Sequence, residues 1–161
     1  MLLFSLLLSQ ALAATPDAVF QPTPAVNTVY VALSHRDKSP SCDELDAMVD
    51  DPVAAYEQII DHAQQPPWAP MRAASCLIEN HGLAAQARIE SWVITPELRG
   101  LALLTFNNID KLPVEVAISL SQRAVTEGPF LRDAKRRLAK SQHLEIQKIA
   151  NSVVLPELSH K

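Results

Sequence analysis

Glycine is scarce in this chain, with three among 161 residues. That is too few for the tight turns of a β-sheet or for the glycine-rich loops that cradle phosphates. Aromatic residues make up only 5%, so aliphatic side chains must fill the core, and Ala and Leu do so most readily in helices. No HExxH, GxSxG, Walker A or GxGxxG pattern occurs, and His35, His62, His81, His143 and His160 have no metal-ligand spacing. The sequence therefore assigns no catalytic residue, metal ligand or cofactor. Excess basic charge is also lacking: the formal net charge of −4 speaks against a general nucleic-acid binder. No apolar run reaches the roughly 20 residues that a bilayer-spanning helix needs.

A shorter apolar run does occur. Leu2 to Ala13 reads LLFSLLLSQALA without a charge, and Ala11 and Ala13 place small residues where a signal peptidase reads. Residues 1–13 are expected to be a secretory signal peptide, although only the amino terminus of Met1 supplies the positive charge such leaders carry. The alternative is an apolar helix that stays attached and packs on the domain. Ala14 to Pro24 holds three prolines and reads as a flexible arm. The exported product would then be a single domain over residues 25–154, followed by a polar tail, 155–161.

Cys42 and Cys76 are the only cysteines and lack a CxxC spacing. In an exported protein such a pair is expected to form a disulfide, closing a loop whose chain-entropy effect is on the order of 3.5 to 4 kcal/mol.

Helix signals recur along the chain. Thr23-Pro24 reads as a cap followed by proline, yet Val29, Val31 and Leu33 also alternate as in a strand; helix is preferred because a lone strand has no partner. Ser41 or Asp43 can cap a short helix, and Asp51-Pro52 opens the next, with Tyr56 and Ile59 inward. Ala69-Pro70 opens a third helix, for which Gly82 is suited to the left-handed C′ position. Further helices are predicted from Leu83, Thr95-Pro96, Pro113, Pro129 and Leu144. Elements of ten to fifteen residues joined by short loops describe antiparallel helical hairpins.

Three helix starts are alike: Pro70-Met71-Arg72-Ala73-Ala74, Pro96-Glu97-Leu98-Arg99-Gly100 and Pro129-Phe130-Leu131-Arg132-Asp133-Ala134. Their arginines recur within the period range of helical solenoids, and Val31 to Asp37 reads as a helix end with an Asp-bearing turn. This pattern resembles a HEAT-type, armadillo-like repeat. The resemblance implies an all-α fold of stacked hairpins in a short right-handed α-solenoid, arginines that pair with aspartates of a neighbouring repeat, and a surface for protein partners. Trp68, Thr95 and Gly128 stand four residues before the arginines, where the family carries an acidic turn residue. The alternative architecture is a compact irregular helical bundle, in which Arg72, Arg99 and Arg132 would simply be solvated.

Charge is segregated. Asp43 to Glu57 carries six acids and no base, whereas Arg132, Lys135, Arg136, Arg137 and Lys140 crowd one stretch against Asp133. The basic stripe either steers an anionic partner, such as an acidic protein face, or is a solvated helix face. Trp68, in a proline-rich turn, either anchors a partner or covers a hairpin end; Trp92 reads as core. The expected function is an exported, non-catalytic protein-interaction module. The alternatives are a small secreted hydrolase, which requires two of Asp61, His62, Glu79, His81 and Glu90 to converge, and an inhibitor or cap of an exported enzyme.

Overall fold

A computed structural model describes residues 20–37 and 40–155; the expected signal peptide and most of the polar tail lie outside these. The described residues form nine α-helices and no strand: α1 (Pro24–Ser34), α2 (Cys42–Asp46), α3 (Pro52–His62), α4 (Trp68–His81), α5 (Gln86–Ile94), α6 (Arg99–Asn107), α7 (Val114–Thr126), α8 (Leu131–Leu138) and α9 (Leu144–Ser152). Two short 3₁₀ turns, Pro96–Leu98 and Ile109–Lys111, precede α6 and α7.

Side chains set several of these starts. The Thr23 hydroxyl accepts from the Val26 amide at 3.4 Å, and the Asp51 carboxylate from the Ala54 amide at 3.0 Å, so both proline-opened helices begin capped. At α2 the bonds are reciprocal: Glu44 N–H donates to Ser41 Oγ at 3.3 Å and Ser41 N–H to Glu44 Oε2 at 2.8 Å, which closes a capping box. Pro70 does not open its helix. It is the third residue of α4, still within the first turn, where a missing N–H removes no intrahelical bond. Within the arm expected over 14–24, Pro24 opens α1, and Phe20 lies edge-on to Tyr30 at 5.4 Å and stacks on His62 at 6.2 Å.

Gly82 corrects a sequence expectation. Its φ of −52° and ψ of −35° are right-handed helical, so α4 does not end in a left-handed cap. The glycine serves packing instead: a Cβ there would stand 2.3 Å from Leu112 Cδ2 and 3.0 Å from the Ile78 carbonyl. The next helix consequently starts at Gln86 rather than Leu83, which lies in the intervening turn and is 69% exposed.

One core runs through the described residues. Trp92, Tyr56, Ile59, Leu77 and Leu120 are buried in it, and Ala69, Ala73 and Ala74 line α4 with no exposed surface. Side chains that small let α4 approach its neighbours closely, and it packs most extensively on α3. Trp92 is core as expected, with its indole N–H left without a partner.

Contacts follow chain order. Helix α1 packs on α3 and α4, and two runs of contact continue from there, α4 to α6 to α8 and α5 to α7 to α9. The first run joins the three proline-started segments that resemble one another. Its helices lie side by side in the same direction. Arg99, opening α6, pairs with Asp133 near the start of α8 at 3.0 Å, whereas beyond the helix ends Asp110 accepts from the Gln142 amide at 3.1 Å. Glu79 near the end of α4 likewise pairs with Lys111, just after α6, at 2.7 Å.

Candidate functional site

The sequence directs attention to the basic stretch on α8, and the structure divides it in two. Lys135 and Arg137 are committed to the fold. Lys135 Nζ donates to the Val153 carbonyl at 2.6 Å, just past the end of α9, where a cation complements the helix dipole. Arg137 Nη1 donates to Asn107 Oδ1 at the end of α6. Arg132, Arg136 and Lys140 are exposed, and their spacing of four residues brings them along one side of α8 and its following turn. Arg136 also pairs with Asp133 at 2.9 Å. Asp133, mostly shielded, serves both arginines, and its carboxyl is held below the ordinary range first by the Arg99 hydrogen bond and then by the surrounding guanidinium charges.

Beside this face, between the ends of α6 and α8, lies a cleft of about 450 Å³ lined by Phe106, Asn107, Ile109, Asp110, Arg136, Arg137, Lys140 and Ser141. Asp110 is its one carboxylate, and that group is turned to the segment after α8: it accepts from Ser141 Oγ and from the Gln142 amide at 3.1 Å to each oxygen. The Nε of Arg137 is buried without a hydrogen-bond partner.

Trp68 is not part of this face. It sits at the start of α4, 36% exposed, with its indole N–H donating to the Ser34 carbonyl at 3.3 Å. There it covers the end of α1 together with Arg72, which donates to the carbonyls of Leu33 at 2.9 Å, of Arg36 at 3.3 Å and of His35. The three repeat arginines thus have different surroundings. Arg72 closes a helix C-terminus, Arg99 pairs with an aspartate of the following hairpin, and Arg132 is exposed on the α8 face.

Cys42 and Cys76 stand at disulfide-bonding distance, with S–S 2.15 Å and Cα–Cα 5.2 Å. The bond ties the five-residue α2 to α4, and a polar cluster that sequence reasoning missed reinforces it. Asp46 accepts from Tyr56 Oη at 2.6 Å and Asn80 Nδ2 at 2.8 Å, and meets His81 Nε2 at 3.0 Å. Asn80 also reaches Asp43 at 2.9 Å. Burial alone would raise the Asp46 carboxyl, but the hydrogen bonds from Asn80, Tyr56 and His81, with the attraction of His81, bring it below its ordinary value. The Tyr56 hydroxyl is pushed well above its ordinary range, first by burial and then by Asp46.

The acids and histidines considered for hydrolysis do not converge. Asp61 pairs with Arg88, His62 stacks on Phe20, Glu79 pairs with Lys111, and His81 turns to Asp46. Glu90 meets Gln86 at 2.8 Å, Arg123 at 2.9 Å and Ser119 at 3.3 Å. Among the described residues no group of three or more His, Cys, Asp or Glu side chains is placed to hold a metal ion, and no helix is long and apolar enough to cross a membrane. No family model, curated protein or solved structure matches this chain.

Proposed function

We propose that this chain is an exported, non-catalytic protein-binding module, built as a short stack of HEAT-like helical hairpins, whose α8 end engages an acidic protein face. One observation carries the reading: Arg132, Arg136 and Lys140 are exposed along one side while the two intervening cations, Lys135 and Arg137, are bonded inward. Positive charge gathered on one face steers association with an anionic partner and disfavours basic ones.

The stacked arrangement is supported by extensive contacts only between helices at most three apart in the chain and by the parallel run of α4, α6 and α8, each with a Pro-x-x-Arg or Pro-x-Arg segment at its start. Export is supported by the Cys42–Cys76 pair, since disulfides persist in oxidising compartments, and by the leader-like residues 1–13.

The test is affinity capture from the envelope or medium by the domain lacking residues 1–13, beside an Arg132→Glu/Arg136→Glu/Lys140→Glu variant. An acidic protein recovered by the first and lost by the second is the expected result. The same recovery by both overturns the reading. Arg137 is left out of the variant because its bond to Asn107 ties α8 to α6.

A further inference from the structure

We propose that the cleft between the ends of α6 and α8 is a pocket for a single carboxylate of a partner's acidic peptide segment, an inference that rests on α8 being the binding face. Three cations border the cleft, Arg136, Arg137 and Lys140, against the one carboxylate of Asp110. Asp110 is already engaged by Ser141 and the Gln142 amide. It offsets one charge, and Asp133, paired with Arg136 at 2.9 Å, offsets a second, which leaves the cleft a net one positive.

Arg137 is the fixed element. Asn107 holds one end of its guanidinium, and the Nε–H is buried with no hydrogen-bond acceptor. A planar guanidinium held in place matches a carboxylate better than a mobile ammonium does. The ammonium of Lys140, in the turn after α8, makes no hydrogen bond or ion pair among the described residues and can close over an entering anion.

The lining points to a peptide rather than a bare oxyanion. Phe106 and Ile109 also line the cleft, each 3% exposed, so its wall has an apolar edge against which the methylenes of a glutamate can rest. The volume of about 450 Å³ falls within the range of roughly 300 to 1,000 Å³ typical of small-ligand sites, enough for an acidic side chain and its neighbour.

The experiment is an amide-shift titration of the full domain with three probes: a capped tetrapeptide holding one glutamate between leucines, its glutamine analogue, and inorganic phosphate. The glutamate peptide should move the amides of Asn107, Asp110 and Gln142. The glutamine analogue should bind at least tenfold more weakly, and Lys140→Gln should weaken the glutamate peptide about fivefold. Arg137→Gln should do the same or more, and Lys140→Gln keeps the test open if the Arg137 variant does not fold. Shifts confined to the outer side of α8, or no shifts at millimolar peptide, overturn the pocket and leave the α8 reading intact. Phosphate binding as tightly as the peptide overturns it in favour of a general oxyanion site. Cleft shifts together with capture indifferent to the Arg132→Glu/Arg136→Glu/Lys140→Glu change would instead break the α8 reading.

Discussion

Removing the Cys42–Cys76 bond should destabilise the domain by an amount the chain itself sets. The two residues are 34 apart. In the chain-entropy model a loop of that length costs the unfolded state about 12.6 cal/mol/K, or about 3.8 kcal/mol at 25 °C. Unfolding a domain of roughly 130 residues carries an entropy near 0.27 kcal/mol/K at its midpoint, so the loss corresponds to a fall of about 14 °C in Tm. The loop encloses α3 and much of α4, the most extensively packed pair of helices, and α2 has few other attachments. Asp46, Asn80 and His81 still join α2 to α4 after the bond is broken, so the native structure should survive at 25 °C. The assay is calorimetry of the wild type with and without reductant, beside Cys42→Ala/Cys76→Ala. Reduced wild type and oxidised double variant should melt within a few degrees of each other, both well below oxidised wild type, and the variant should ignore reductant. A shift under about 3 °C would refute the assignment of this loop closure as a main stabiliser.

Three further outcomes follow from named contacts. Arg72→Met removes donors to carbonyls at the end of α1 and should cost about 1.5 to 3 kcal/mol, whereas Arg99→Met breaks a pair whose arginine is 64% exposed and should cost under about 1 kcal/mol; equal losses in urea denaturation would show that the two arginines do have one repeat role. Gly128→Ala places a Cβ 2.5 Å from the Ala124 carbonyl and 2.8 Å from that of Val93 and should destabilise by about 1 to 3 kcal/mol, while Gly100→Ala meets nothing within 4 Å and should stabilise by about 0.5 kcal/mol. The lowered Asp46 carboxyl contributes stability that is present above its unfolded value, near 3.9, and is lost as pH falls through its lower folded value. Urea midpoints should therefore drop below about pH 4, and less steeply in Asp46→Asn; identical acid limbs would remove Asp46 from the account.

Much of the architecture was legible because its signals are local. Asp51-Pro52, Thr23-Pro24 and Ser41, one of the two caps the sequence offers for α2, each carry their signal within four residues, and each appears as a cap. What joins the helices was not legible. Asp46, Tyr56, Asn80 and His81 meet across ten to thirty-five positions, and no local pattern marks such a meeting. Gly82 was misread because a glycine at a helix end has two uses, conformational freedom and absence of bulk, and only the position of Leu112 distinguishes them. The sorting of the α8 cations was available in the spacing of 132, 136 and 140, but which side faces inward depends on Val153 and Asn107, which approach from other helices.

The central claim is that three exposed cations on α8 and its following turn make a binding face. Its most direct test is a calorimetric titration of the captured acidic partner against purified wild type and Arg132→Glu/Arg136→Glu/Lys140→Glu at 50 and 300 mM salt. The account predicts binding that weakens with salt in the wild type and is at least about thirtyfold weaker in the variant at low salt, a change of about 2 kcal/mol. Affinities within threefold of each other, with no salt dependence, would contradict it.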